Sequence, residues 1–173
     1  KKKKRRIFHP FLVAVFPILI IYSQNIGRMN FEDLILPIIS VLIFSVGLYY
    51  ILKIILKNPF KSALIVTIIL ILLFSYGHVY YLLNDVSIDG FDIGRNLYLI
   101  PAFGLALGIL IFFTIRAGRV FDNATSIINV VSIVFIMVAI SNVVFVGAEI
   151  TNYDKDSSQE LFYETRDFSG YFE

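Results

Sequence analysis

The placement of charge constrains this chain more than any other feature. Five apolar stretches, Ile7–Tyr22, Leu34–Leu52, Ala63–Leu83, Leu97–Ile115 and Ile127–Val146, contain no Asp, Glu, Lys or Arg. A charge near the centre of a bilayer costs about 2.5–3.5 kcal/mol on insertion scales, so segments that cross are kept clear of it. Each stretch approaches the 20 or so residues that a helix rising about 1.5 Å per residue needs to cross about 30 Å of hydrocarbon. Charged residues make up 16% of the chain and apolar residues 58%, against about 25% and 45–50% in soluble domains. A soluble globular domain is therefore excluded. The Ile, Leu, Val and Phe runs also lack the period-2 alternation of β-barrel strands. The expected fold is all-α, an integral membrane bundle of five transmembrane helices.

The charges between the stretches alternate in sign. Lys1–Arg6 carries +6, and the segment with Arg28, Glu32 and Asp33 carries −1. Lys53, Lys57 and Lys61 give +3, and Asp85, Asp89, Asp92 and Arg95 give −2. Arg116, Arg119 and Asp122 give +1, and the tail beyond Val146 carries −5. Eleven of the Lys and Arg residues thus fall on one side and four on the other. Cytoplasmic loops hold the excess of Lys and Arg, so the expected topology is N-terminus inside, five crossings, C-terminus outside. The six N-terminal cations are read as a retention signal touching anionic lipid, not as a nucleic-acid site.

The expected organisation is a basic cytoplasmic segment over 1–6, a five-helix domain over 7–148 and an extracytoplasmic connector over 149–173. Leu161, Phe162, Tyr163, Phe168, Tyr171 and Phe172 make that connector a short amphipathic element resting on the membrane surface. No A-x-A-type cleavage site follows the first stretch, which argues against a signal peptide. The Lys1 start and the polar end predict a membrane region of a larger polypeptide. Within the bundle, Gly104-x-x-x-Gly108, flanked by Ala102 and Ala106, is the expected close-packing face. Pro17, Pro37 and Pro101 are expected to kink or start helices. Asn142 is read as an interhelical hydrogen-bonder.

Catalytic patterns are absent. There is no HExxH, P-loop or GxSxG, and with no cysteine there is neither disulfide nor thiolate metal site. His9, before Pro10, is expected among headgroups. His78 lies in the outer third of the third stretch, where an ionisable residue marks either function or a neutral imidazole in an aromatic belt. His78, Tyr76 and Tyr80, with Tyr22, Ser23, Gln24 and Asn25, form a candidate outer-leaflet polar patch able to contact a lipid headgroup or an overlying domain. The segment Asn84–Gly94 does not match an EF-hand and reads as a solvated acidic loop. Asn123-Ala124-Thr125 fits a glycosylation sequon on the side where it would go unused. With no charged relay inside the spans and an odd number of crossings, transport by paired repeats is disfavoured.

Phe8-His9-Pro10-Phe11-Leu12, Phe16-Pro17-Ile18-Leu19, Tyr22-Ser23-Gln24-Asn25-Ile26-Gly27 and Phe74-Ser75-Tyr76-Gly77-His78-Val79-Tyr80 resemble the N-terminal membrane region of bacterial and archaeal proteins of the alkaline phosphatase and sulfatase superfamily. The layout is similar to that of lipoteichoic acid synthases, where five helices precede an extracytoplasmic metal-dependent domain. The resemblance implies an anchor for a hydrolase or phospho-group transferase in a prokaryotic plasma membrane, and guidance of a lipid-linked substrate. The divalent metal and the Ser or Thr nucleophile that it implies belong to the extracytoplasmic domain, and no catalytic residue is expected here. The competing readings are the membrane domain of a polytopic glycosyltransferase and a stand-alone small transporter or lipid-binding protein.

Overall fold

The computed structural model describes residues 6–88, 91–118 and 121–169. They form five helices: α1 (His9–Ser23), α2 (Ile35–Leu56), α3 (Pro59–Leu83), α4 (Asn96–Arg116) and α5 (Phe121–Ser169). A short 3-10 turn, Phe31–Leu34, leads into α2. A two-residue antiparallel hairpin, β1 (Ser87–Ile88) with β2 (Phe91–Asp92), joins α3 to α4. The all-α membrane bundle expected from charge exclusion is present. Four of the helices are long and apolar enough to cross a membrane, so this is a multi-pass membrane protein.

Local chemistry sets the helix ends. Lys57 takes a left-handed conformation (φ 51°) that stops α2. Asn58 then accepts the N–H groups of Phe60 and Lys61 at 3.1 and 3.2 Å, with Pro59 in the first turn, so α3 begins at once. Pro37 lies in the first turn of α2, whereas Pro17 and Pro101 lie inside α1 and α4. At the other end of α3, Gly94 is held against the Leu83 carbonyl and Asn84 Cα, where any added Cβ would overlap backbone. Gly94→Ala should cost about 1–3 kcal/mol through this overpacking. A lowered unfolding temperature in detergent, with α4 and the hairpin exchanging amide hydrogens faster, checks it.

Two helices, α1 and α3, form the centre of the bundle. Helix α1, about 22 Å long, packs on α2, α3 and α5, while α3 packs on α1, α2, α4 and α5. Ala14, Val66 and Leu70 are fully buried at the α1–α3 crossing, with Val41, Leu48 and Leu52 of α2 and Phe74 closing over them. Apolar burial drives little association in lipid, so close approach at small residues decides packing. Ala14 on α1, Ser62 and Ala63 on α3, and Ser132 and Ala139 on α5 supply those contacts and are all buried.

The Gly104–Gly108 face does not serve this purpose. Among the described residues helix α4 packs on no helix but α3, both glycines are exposed, and a Cβ added at either would touch nothing within 4 Å. The pattern permits close approach, yet α4 packs on α3 through another face, where Phe103 meets Tyr76.

The helices alternate in direction. At one end Lys61 Nζ donates to the Ile115 carbonyl and lies over the Phe121 ring, tying the start of α3 to the end of α4 and the start of α5. At the other end Tyr76 of α3 bonds Asn96 at the start of α4, and Gly27 approaches Ile150 of α5. Arg6, Lys53, Lys57, Lys61 and Arg116 therefore share one end of the bundle, and Glu32, Asp33, Asp85, Asp92 and Glu149 share the other. The sequence-derived sidedness is reproduced as a separation of charge between the two ends.

Helix α5 departs from expectation. No terminus separates the fifth span from the connector, and the helix runs for 49 residues, about 73 Å. Thr151 Oγ1 bonds back to the Gly147 carbonyl across the point where the span was expected to end. A lone glycine lowers helix stability by only about 1 kcal/mol and does not break the run. As far as Ser169 the connector continues the span's own helix, with no separate helix start. The side chains of Leu161, Phe162, Tyr163 and Phe168, together with Tyr171, Phe172, Lys1–Arg5, Asp89, Gly90 and Arg119, lie outside the described residues.

Candidate functional site

Helices α1, α3 and α5 enclose a cavity of about 400 Å³. Its walls are Leu12, Val13, Phe16, Pro17, Ile20 and Ile21 of α1, Ile71 and Phe74 of α3, and Phe135 of α5. On each helix these positions recur at three- and four-residue spacing, so each wall is one helical face. Four polar residues complete the lining. Ser132, only 2% exposed, stands on α5; Gln24, Ser75 and His78 cluster at the end shared by the acidic loops. Gln24 directly follows the last residue of α1, and His78 lies five residues before the end of α3. Pro17 has no N–H, so the Val13 carbonyl loses its helical partner within the same wall. The arrangement is an apolar groove with hydrogen-bonding groups at one mouth, in the volume range of about 300–1,000 Å³ typical of ligand sites.

A polar cluster closes the opposite, basic end. Phe8, which precedes α1, offers no side-chain cap, so the first N–H groups of the helix need an acceptor from elsewhere. Asn129 of α5 provides it: Oδ1 accepts from the N–H of His9 at 2.9 Å and of Phe8 at 3.2 Å. Its Nδ2 donates to the Arg6 carbonyl at 2.8 Å. Beside it, His9 Nδ1 lies 2.7 Å from Thr67 Oγ1 of α3. The Thr67 hydroxyl donates to the Ala63 carbonyl at 3.0 Å, which commits its one proton. The hydrogen-bond network thereby assigns the imidazole proton to Nδ1 and leaves Nε2, buried and without a partner among the described residues, as a lone pair.

His9 is thus fully buried rather than set among headgroups, because the helix begins at His9 itself and carries the ring into the three-helix interface. Sequence reasoning also passed over Asn129 and Thr67. The available signal was the missing cap before Pro10 together with a lone Asn near the start of an apolar span.

The candidate outer-leaflet patch divides over two faces of α3. His78 and Gln24 meet at the groove. Tyr76 and Tyr80 turn towards α4: their rings stack at 6.5 Å, Tyr76 meets the Phe103 ring edge-on at 5.2 Å, and Tyr76 Oη donates to Asn96 Oδ1 at 2.7 Å. Residues 76 and 78 lie about 200° apart on a helix, so one face cannot hold both. Tyr22 is buried within the bundle at 7% exposure. Asn25 Nδ2 bonds back to the Ile21 carbonyl at 2.7 Å and stays outside the groove. His78 has no hydrogen-bond partner among the described residues and is exposed at the mouth.

Among the described residues no group of three His, Asp or Glu side chains is placed to hold a metal ion. Comparison with family models, with curated proteins and with solved structures finds no match.

Proposed function

We propose that this domain seats the hydrocarbon chain of a lipid-linked substrate in the α1–α3–α5 groove and presents its polar head at the outer leaflet. The observation that carries the reading is the groove itself, apolar along its walls, with Gln24, Ser75 and His78 gathered at one mouth. The Lys and Arg bias supports that mouth on the extracytoplasmic side, with the N-terminus inside and the C-terminus outside, and the family resemblance implies a prokaryotic plasma membrane. The same orientation directs the long continuation of α5 outward, where it would carry or dock an extracytoplasmic domain.

That domain is proposed to be a hydrolase or phospho-group transferase of the sulfatase and alkaline phosphatase superfamily. Support comes from the segments that resemble the family. His9 and Pro10 are buried at the start of α1, less than one turn before the groove wall begins at Leu12, and Ser75 and His78 line the groove's mouth. The divalent metal implied by the resemblance has no ligand cluster among the described residues, and its chemistry would belong to the extracytoplasmic domain.

Lipids bearing a photoactivatable group within one chain, reconstituted with the protein, test the groove. Adducts are expected on α1 and α3 peptides that contain Phe16, Ile20, Ile71 and Phe74, and natural lipid competes them away. Adducts spread evenly over the lipid-exposed faces of α2 and α4 would contradict the assignment. Coding sequence continuing past Glu173 into Asp and His metal ligands with a Ser or Thr nucleophile tests the enzyme reading; a stop codon there favours a lipid-binding protein acting alone.

A further inference from the structure

Asn142 stands on the wrong side of α5 for a bond within this bundle. The buried residues Thr125, Asn129, Ser132 and Ala139 form the inner face of α5. Asn142 and Ser141 are exposed, and with Val134, Val138 and Phe145 they line a shallow depression formed by α5 alone. Asn142 has no hydrogen-bond partner among the described residues. It lies five residues past the middle of the apolar segment Asn123–Thr151, about 7.5 Å along the axis, and so within the roughly 30 Å hydrocarbon layer. A carboxamide offers two N–H donors and a carbonyl acceptor, none of which lipid tails can satisfy.

We infer that a second copy of this chain covers this face, with Asn142 hydrogen-bonded to Asn142 of that copy. Two copies inserted with the same topology hold every residue at the same depth. A two-fold axis along the membrane normal then sets each residue of the seam beside its counterpart. The carboxamide is self-complementary, so a second copy necessarily supplies the missing donor and acceptor at the right depth. Val134, Val138 and Asn142 recur every four residues with Ser141 and Phe145 alongside, the ridge spacing of a close right-handed helix crossing, and Ser141 is small enough to let the two α5 helices approach. The contact uses the side of α5 facing away from α1 and is independent of the groove and its ligand.

The chain has no cysteine, so single introduced cysteines report on the contact directly. In proteoliposomes, Val138→Cys and Ser141→Cys should give self-crosslinked dimers on oxidation. Ile140→Cys, exposed at similar depth on the other flank of α5, should not. Asn142→Leu in the Val138→Cys background should weaken self-association about tenfold, and Asn142→Gln should restore much of it. Val138→Trp, which blocks the seam and leaves the carboxamide in place, should lower Ser141→Cys crosslinking similarly and decides the matter should Asn142→Leu not fold. A monomer at all three cysteine positions, equal crosslinking at residue 140, adducts with a different protein alone, or dimers undiminished by both Asn142→Leu and Val138→Trp would overturn the inference.

Discussion

Asn129→Ala should destabilise the bundle by about 2–4 kcal/mol, the largest effect expected of any single polar substitution here. The change removes one acceptor shared by two N–H groups and one donor to the Arg6 carbonyl. A buried N–H left without a partner costs about 1–3 kcal/mol, and the start of α1 has no side chain of its own to take over. Because α1 contacts α2, α3 and α5, loosening its first turn also loosens the centre of the fold. Thr67→Val leaves one buried donor, the His9 Nδ1–H, without its acceptor, against two N–H groups and a carbonyl freed by the loss of Asn129, and should cost about half as much, roughly 1–2 kcal/mol. Reversible unfolding in mixed micelles measures both. Equal losses for the two variants would show that Asn129 does not cap α1.

Ser132→Phe should abolish occupancy of the groove. Ser132 is 2% exposed and stands in the wall formed by α5, close in sequence to Phe135, whose ring stacks on Phe16 of α1 at 5.3 Å. An aromatic side chain placed there takes up much of the 400 Å³. Chain-labelled lipid should then mark the α1 and α3 walls at least about tenfold less, a difference of about 1.4 kcal/mol in occupancy free energy. Overpacking costs about 1–3 kcal/mol of stability, so the fold should survive at lowered unfolding temperature. His78→Leu acts differently: it leaves the apolar walls intact and removes only a hydrogen-bonding group at the mouth. Chain labelling should persist in that variant while selectivity between lipid headgroups falls. Loss of chain labelling in His78→Leu with retention in Ser132→Phe would place the lipid elsewhere.

The helices themselves were legible because the exclusion of charge from hydrocarbon is a local property of the chain. The stretch Ala63–Leu83 became α3, Pro59–Leu83, and Leu97–Ile115 became α4, Asn96–Arg116. Other features depend on distance or phase. That the shortest helix shares the centre with α3 follows from which helices pack, and apolarity does not encode this. The cap of α1 comes from Asn129, some 120 residues away, where no local pattern reaches. Tyr76 and His78 looked like one patch because they are neighbours in sequence, yet helical phase sends them to opposite neighbours. The Gly104–Gly108 pattern permits close packing without requiring it, and the bundle draws on Ala14, Ala63, Ser132 and Ala139 instead. Helix α5 continues beyond its apolar part because hydropathy marks where lipid ends, not where a helix must.

The orientation of the groove is the claim on which the functional reading depends, and cysteine accessibility tests it most directly. Single cysteines at Ser87, in the hairpin between α3 and α4, and at Lys57, between α2 and α3, mark the two ends of the bundle. In intact cells a membrane-impermeant maleimide should label Ser87→Cys at once and Lys57→Cys only after permeabilisation. Labelling of Lys57→Cys with protection of Ser87→Cys would turn the mouth of the groove to the cytoplasm and contradict the account.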